Sequence, residues 1–145
     1  MTTSTRDVFE RGTDAFNAHD MDAFAEVMAD DVVYSGPGGA GGKGKADCVA
    51  AYRSWIDAFS DGHVEVDAVY IIGDVVVEQG TFTGTHDGVL RTPAGDIPPT
   101  GRSLRSRYVH LLRIRDGKHV SFDLTFDRLD MLEQLGLVPA PAAAA

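Results

Sequence analysis

The sequence predicts an α+β domain in which helices lead and a curved antiparallel sheet follows, wrapped so that an internal pocket forms between them. Three observations predict it. Apolar residues recur at spacings of three and four as far as Phe59, the period changes to two from Val64 onward, and Gly73-Asp74 and Asp116-Gly117 punctuate long β-branched runs. A helical stripe and a sheet face each leave one apolar side exposed, and packing one on the other covers both.

The first stripe, Val8, Phe9, Gly12 and Phe16, places a helix over roughly Thr5 to Ala18, with the hydroxyls of Thr2 to Thr5 available to cap it. Asp20 caps a short second helix carrying Ala23, Phe24, Val27 and Met28. Val32-Val33-Tyr34 reads as a strand that ends in the glycine-rich segment Ser35 to Gly42. This segment lacks the Lys-Ser/Thr ending of a phosphate loop and reads as a flexible crossover. Cys48, Val49, Tyr52, Trp55, Ile56 and Phe59 make a wide stripe on a helix from about Lys45 to Phe59, in which Cys48 is a buried thiol. Val64, Val66, Ala68, Tyr70 and Ile72 then alternate as one buried strand face, and Val75 to Thr85 returns as its hairpin partner. His86 to Gly101 is a Pro/Gly-rich excursion, Leu104 to Arg115 and Lys118 to Phe126 form the last hairpin, and a leucine-rich helical turn ends at Gly136.

A chain of 145 residues suits one core, and 43% hydrophobic residues, seven Phe among them, can close it without disulfides or a structural metal. One domain is expected over residues 1–138, with the Pro/Ala-rich stretch 139–145 as a disordered tail. The net charge of -9 excludes a nucleic-acid surface, which requires a concentrated positive field. The basic cluster at Arg102, Arg105, Arg107, Arg113, Arg115 and Lys118 reads as a solvated sheet edge. No secretory signal opens the chain and no apolar run reaches a membrane span, so a cytoplasmic protein without membrane contact is expected.

Which polar residues point inward depends on the last hairpin. A regular two-residue turn at Asp116-Gly117 pairs Arg115 with Lys118 and sets His110 opposite Asp123, Tyr108 opposite Thr125 and Ser106 opposite Asp127, all on one face. That face is either solvated or the lining of a pocket. A one-residue bulge would instead place His110 with Phe122 and Leu124 and send both aspartates to the other side. His beside a carboxylate suits proton transfer near neutral pH, because the carboxylate orients the imidazole and stabilises its protonated form. The histidines His19, His63, His86, His110 and His119 show no metal-ligand spacing, with His63 and His119 beside turns where exposure is expected. No dinucleotide fingerprint is present, so neither metal nor cofactor is expected.

Gly84-Thr85-His86-Asp87-Gly88, Pro98 to Arg102, Val109 to Lys118 and Phe126 to Gly136, with Asn17-Ala18-His19-Asp20 ahead of the second helix, resemble in order and spacing the SnoaL-like polyketide cyclases (ester cyclases) of the NTF2-like superfamily. The resemblance implies a cone-shaped α+β barrel, a homodimer formed through the outer sheet face, and a cavity for a hydrophobic small molecule. It further implies cofactor-free aldol cyclisation or a related isomerisation, in which a carboxylate removes an activated proton and a histidine assists. By this resemblance His110 is the pocket histidine and Asp127 the acidic residue before the terminal leucine-rich segment. The cyclases' catalytic carboxylate falls at Leu124, with Asp123 beside it. The candidate catalytic set is therefore Asp127, His110 and Asp123, and Tyr34, Tyr52, Trp55, His86, Tyr108 and Arg107 are candidates for substrate binding. The same fold also serves cofactor-independent hydroxylases, dehydratases and non-catalytic binding proteins, so the reaction must be read from the site.

Overall fold

The computed structural model describes residues 4–139; the expected tail lies almost entirely outside them. Helices α1 (Thr5–Asn17) and α2 (Met21–Glu26) follow one another, capped by the side chains of Ser4 and Asp20. Strand β1 (Met28–Ser35) leads through a short 3-10 turn at Pro37–Gly39 to β2 (Gly41–Lys43) and helix α3 (Lys45–Ala58). Strands β3 (His63–Ile72) and β4 (Val75–Thr85) form a hairpin, and β5 (Leu90–Thr92) pairs with β6 (Gly95–Ile97) in a small separate ribbon. Strands β7 (Ser103–Arg115) and β8 (Lys118–Phe126) form the last hairpin before helix α4 (Arg128–Gln134).

The main sheet runs β2-β1-β8-β7-β4-β3, so the chain's first strand lies beside its last. That pairing is parallel and all the others are antiparallel, which makes the sheet mixed rather than wholly antiparallel. The glycine-rich segment, expected as a flexible crossover, is an edge strand paired to β1 through Val33↔Lys43 and Tyr34↔Gly42. The 86–101 excursion likewise carries its own ribbon, pinned where the amide of His86 donates to the carbonyl of Arg102 and that of Gly101 to the carbonyl of His86.

Two bulges decide which side chains face the helices. In β3 the register slips between Val66 and Ala68, so the alternation expected from Val64 reverses and Tyr70 and Ile72 end on the outer face. In the last hairpin Asp116 and Gly117 both adopt positive φ (51° and 74°), the mirror-image turn that matches strand twist. Arg115 pairs with Lys118 and Ile114 with His119, but an extra residue, Val120, then shifts the ladder to Arg113↔Ser121, Leu112↔Phe122, Leu111↔Asp123 and His110↔Leu124. The regular count is thereby overturned in favour of the bulged register. Beyond the bulge, Phe122 and Leu124 face inward and Asp123 faces out.

The core lies between the concave sheet face and the helices. Val8, Phe9 and Phe16 from α1, Phe24 from α2 and Cys48 and Tyr52 from α3 are buried against Leu104, Leu112, Ile114, Phe122 and Leu124. Helix α4 closes one end with Met131 and stops where Gly136 takes φ 72°. Among the described residues no helix is long and apolar enough to cross a membrane.

Candidate active site

Strand β7 alternates without a break over its whole length. Leu104, Ser106, Tyr108, His110, Leu112 and Ile114 face inward, and the residues between them face out. Across the β4 ladder, Glu78 stands directly opposite His110 and Gly80 opposite Tyr108. Glu78 is 3% exposed, a carboxylate that must find partners inside the fold. It finds two. The hydroxyl of Tyr108 donates to Oε2 at 2.6 Å, and Nδ1 of His110 lies 3.1 Å from Oε1. Because a carboxylate only accepts, the His110 proton sits on Nδ1, which leaves Nε2 to accept from the hydroxyl of Tyr52 at 2.6 Å.

The result is one continuous chain, Tyr52–His110–Glu78–Tyr108, drawn from α3, β7 and β4. Gly80 makes room for it, since a Cβ there would overlap the Tyr108 hydroxyl. The Tyr52 ring is held by edge contacts with Phe24 and Tyr34, at centroid distances of 5.2 and 5.3 Å, and by a tilted contact with Phe122 at 5.2 Å. Burial is the main cause that raises both terminal phenols well above the usual tyrosine range; neighbouring ionisable groups, Tyr34 first for Tyr52 and Glu78 for Tyr108, add to it. Both therefore remain neutral hydrogen-bond donors at any physiological pH.

These four groups line a cavity of about 90 Å³ whose other walls are largely apolar, including Phe16, Trp55, Phe82 and Leu124. His119 also lines it. Expected to be exposed beside the turn, it is 2% exposed, because it stands opposite the inward-facing Ile114, ahead of the bulge, and its ring stacks on Phe122 at 4.6 Å. Burial, with a smaller contribution from His110, lowers its pKa to about 3.

Of the candidates read from the sequence, His110, Tyr52, Trp55 and Tyr108 come together on this cavity. Tyr34 is buried behind Tyr52 and does not line it, and burial followed by the nearby Cys48 raises its pKa. Three placements are corrections. Asp123 is exposed on the outer face opposite Leu111, as the bulge requires. Asp127 is exposed and caps α4, accepting from the amide of Asp130 at 2.9 Å. Arg107 lies on the outer face because it falls between Ser106 and Tyr108 in the strict alternation of β7. His86 is fully buried but outside the cavity. It stacks on Phe59 at 5.2 Å, its Nδ1 lies 3.0 Å from the Thr100 hydroxyl, and burial lowers its pKa.

Sequence reasoning missed Glu78 and His119. The signal for Glu78 was present, since it is the single charge in the run Val75 to Thr85 and stands two residues before a mid-strand glycine. Its partner was not legible, because the excursion between β4 and β7 hides their register. Among the described residues no three His, Cys, Asp or Glu side chains are grouped to hold a metal ion.

A family model described as the SnoaL-like domain matches residues 9–122. Among solved structures, a proposed SnoaL-like polyketide cyclase from Jannaschia sp. CCS1 superposes with a TM-score of 0.82 at 22% identity, covering 95% of each chain. IdmH, a proposed polyketide cyclase from Streptomyces antibioticus, gives 0.76 at 26% identity over 92% of this chain and 99% of its own. An epoxide hydrolase of the LEH-like type from M. tuberculosis shares the fold at 0.70 and 19% identity, over 92% and 90%. No curated protein matches the chain significantly.

Proposed function

We propose, for a chain that belongs to the SnoaL-like domain family, an acid/base enzyme that moves a proton at a carbon next to a carbonyl in a hydrophobic compound, a cyclase-like or isomerase-like reaction. The observation that carries this reading is the buried chain Tyr52–His110–Glu78–Tyr108 on an otherwise apolar cavity. The 26% identity to IdmH supports a polyketide-type carbonyl substrate.

When a carbonyl oxygen enters, the Tyr52 hydroxyl turns from His110 to donate to it, and the Nε2 lone pair of His110 is uncovered. Nε2 then takes the proton from the adjacent carbon, and Glu78, across Nδ1–H, stabilises the imidazolium that forms. The Tyr52 donor stabilises the enolate oxygen in a site walled largely by apolar side chains, where such a hydrogen bond is stronger than in bulk water. In an aldol closure the enolate carbon attacks a second carbonyl, and the resulting alkoxide recovers the proton from His110. Tyr108 holds the second carboxylate oxygen and keeps Glu78 aimed at the imidazole.

The test is turnover and affinity measured separately on a panel of enolisable 1,3-dicarbonyl compounds and aromatic polyketide esters. His110→Asn and Glu78→Gln should each lower turnover roughly 100-fold or more while affinity stays within a few-fold. Unchanged turnover in both variants would remove the assignment. One observation favours a second reading, a non-catalytic binder of the same fold: every member of the polar chain already has a partner inside the protein. That reading expects carbonyl ligands to bind and no compound of the panel to turn over.

A further inference from the structure

The geometry points to a second polar anchor in the cavity, formed by Nε2 of His119 beside Gly12, which binds an uncharged oxygen of the ligand at a distance from the Tyr52–His110 end. Two independent observations meet there. First, Nδ1 of His119 is sealed in the core without a hydrogen-bond partner among the described residues. A neutral imidazole carries one proton, and placing it on Nδ1 would bury a donor with nothing to accept it, which folded proteins largely avoid. The proton therefore sits on Nε2, making that edge a donor.

Second, glycine occupies the middle of α1 at Gly12, where alanine would favour the helix. A Cβ at that position would come within 3.3 Å of His119 Nε2. Gly12 thus lets the Nε2 edge lie against the helix backbone without being crowded, and both residues line the cavity.

The inner-face ladder sets the spacing. His119 stands opposite Ile114, and His110 opposite Leu124, with the rung of Leu112 and Phe122 between them. Both imidazoles pack on the Phe122 ring, at centroid distances of 4.6 and 5.8 Å. A ligand that meets both ends carries two oxygen functions on one apolar frame. The oxygen at His119 is a carbonyl, ether or hydroxyl rather than a carboxylate, because a neutral imidazole offers no countercharge to an anion. The ligand class extends the proposed function, but the anchor itself is read out by binding and does not need turnover.

The experiment compares acetophenone with ethylbenzene, which has the same frame without the oxygen, by titration against ¹⁵N-histidine-labelled protein. The free protein should show His119 as the Nε2–H tautomer, and acetophenone should shift that nitrogen. His119→Phe and Gly12→Ala should each weaken acetophenone roughly five- to tenfold and leave ethylbenzene within twofold. The proposal is overturned by an Nδ1–H tautomer, by equal losses for both probes, or by a wild-type protein that does not prefer acetophenone. Gly12→Ala keeps the test open if His119→Phe does not fold. A failed anchor with intact dependence of turnover on Glu78 leaves the proton-transfer reading standing, and the reverse result separates them equally well.

Discussion

Two residues of the inner face carry consequences that their neighbours do not. Gly80 sits under the Tyr108 hydroxyl, where any side chain would collide with a phenol that is itself tied to Glu78. Gly80→Ala should therefore cost about 2 kcal/mol or more in denaturant unfolding, as expected for an overpacked core position, and should also lower turnover by displacing Tyr108. His119 makes stability depend on pH. Its unfolded form takes up a proton near 6.5 and its folded form only near 3, so between those values the unfolded state binds more protons and stability falls as pH drops. Urea midpoints should decline from pH 7 to pH 4.5, and His119→Phe should flatten that slope. A residual slope of the same sign belongs to His86, whose pKa burial also lowers. A slope unaltered in His119→Phe would mean that this imidazole is not buried in the neutral form.

At the scale of elements, the last hairpin and the helix after it separate capping from chemistry. Asp127 faces solvent and holds the amide of Asp130 at the start of α4. Asp127→Ala should cost about 1 kcal/mol of stability, the usual value of an N-cap, with turnover unchanged, and Asp123→Asn should alter neither. A large loss of turnover in either variant would return catalysis to those carboxylates. The same hairpin marks the limit of sequence reasoning. The Asp116-Gly117 turn and its Arg115↔Lys118 pair follow from local conformational preference and were legible. The bulge at Val120 was legible only as an alternative, because nothing local distinguishes an extra residue from a regular ladder, while the burial of Phe122 and Leu124 against the helices does. The reversal within β3 has the same origin. Val64 to Ala68 alternates in sequence and Val69 to Ile72 is apolar throughout, yet Val69 and Ile71 pack inward past the slip and Tyr70 and Ile72 do not.

For the whole molecule, the parallel contact of β1 with β8 joins the first and last strands into one sheet whose inner face packs on α1 and α3. The convex side of that sheet exposes Val33, Val109 and Leu111 between the charges of Arg107, Arg113 and Asp123, a face of the kind a second copy would cover. A homodimer through this face is our expectation. Sedimentation should give twice the chain mass, and Leu111→Arg should shift it to the monomer; a monomeric wild type at micromolar concentration would reject it.

Apolar periodicity, turn chemistry and capping residues by themselves determined the helices, the five longer strands, the order of layers and the presence of His110, Tyr52, Trp55 and Tyr108 on candidate inner faces, because each of these is a short-range preference written in consecutive residues. The partner of His110 was decided only in three dimensions. Glu78 lies 32 positions away, across an unbroken ladder whose register is hidden by the excursion between its two strands, and the cost of burying a carboxylate selects the one arrangement that gives it both a phenol and an imidazole.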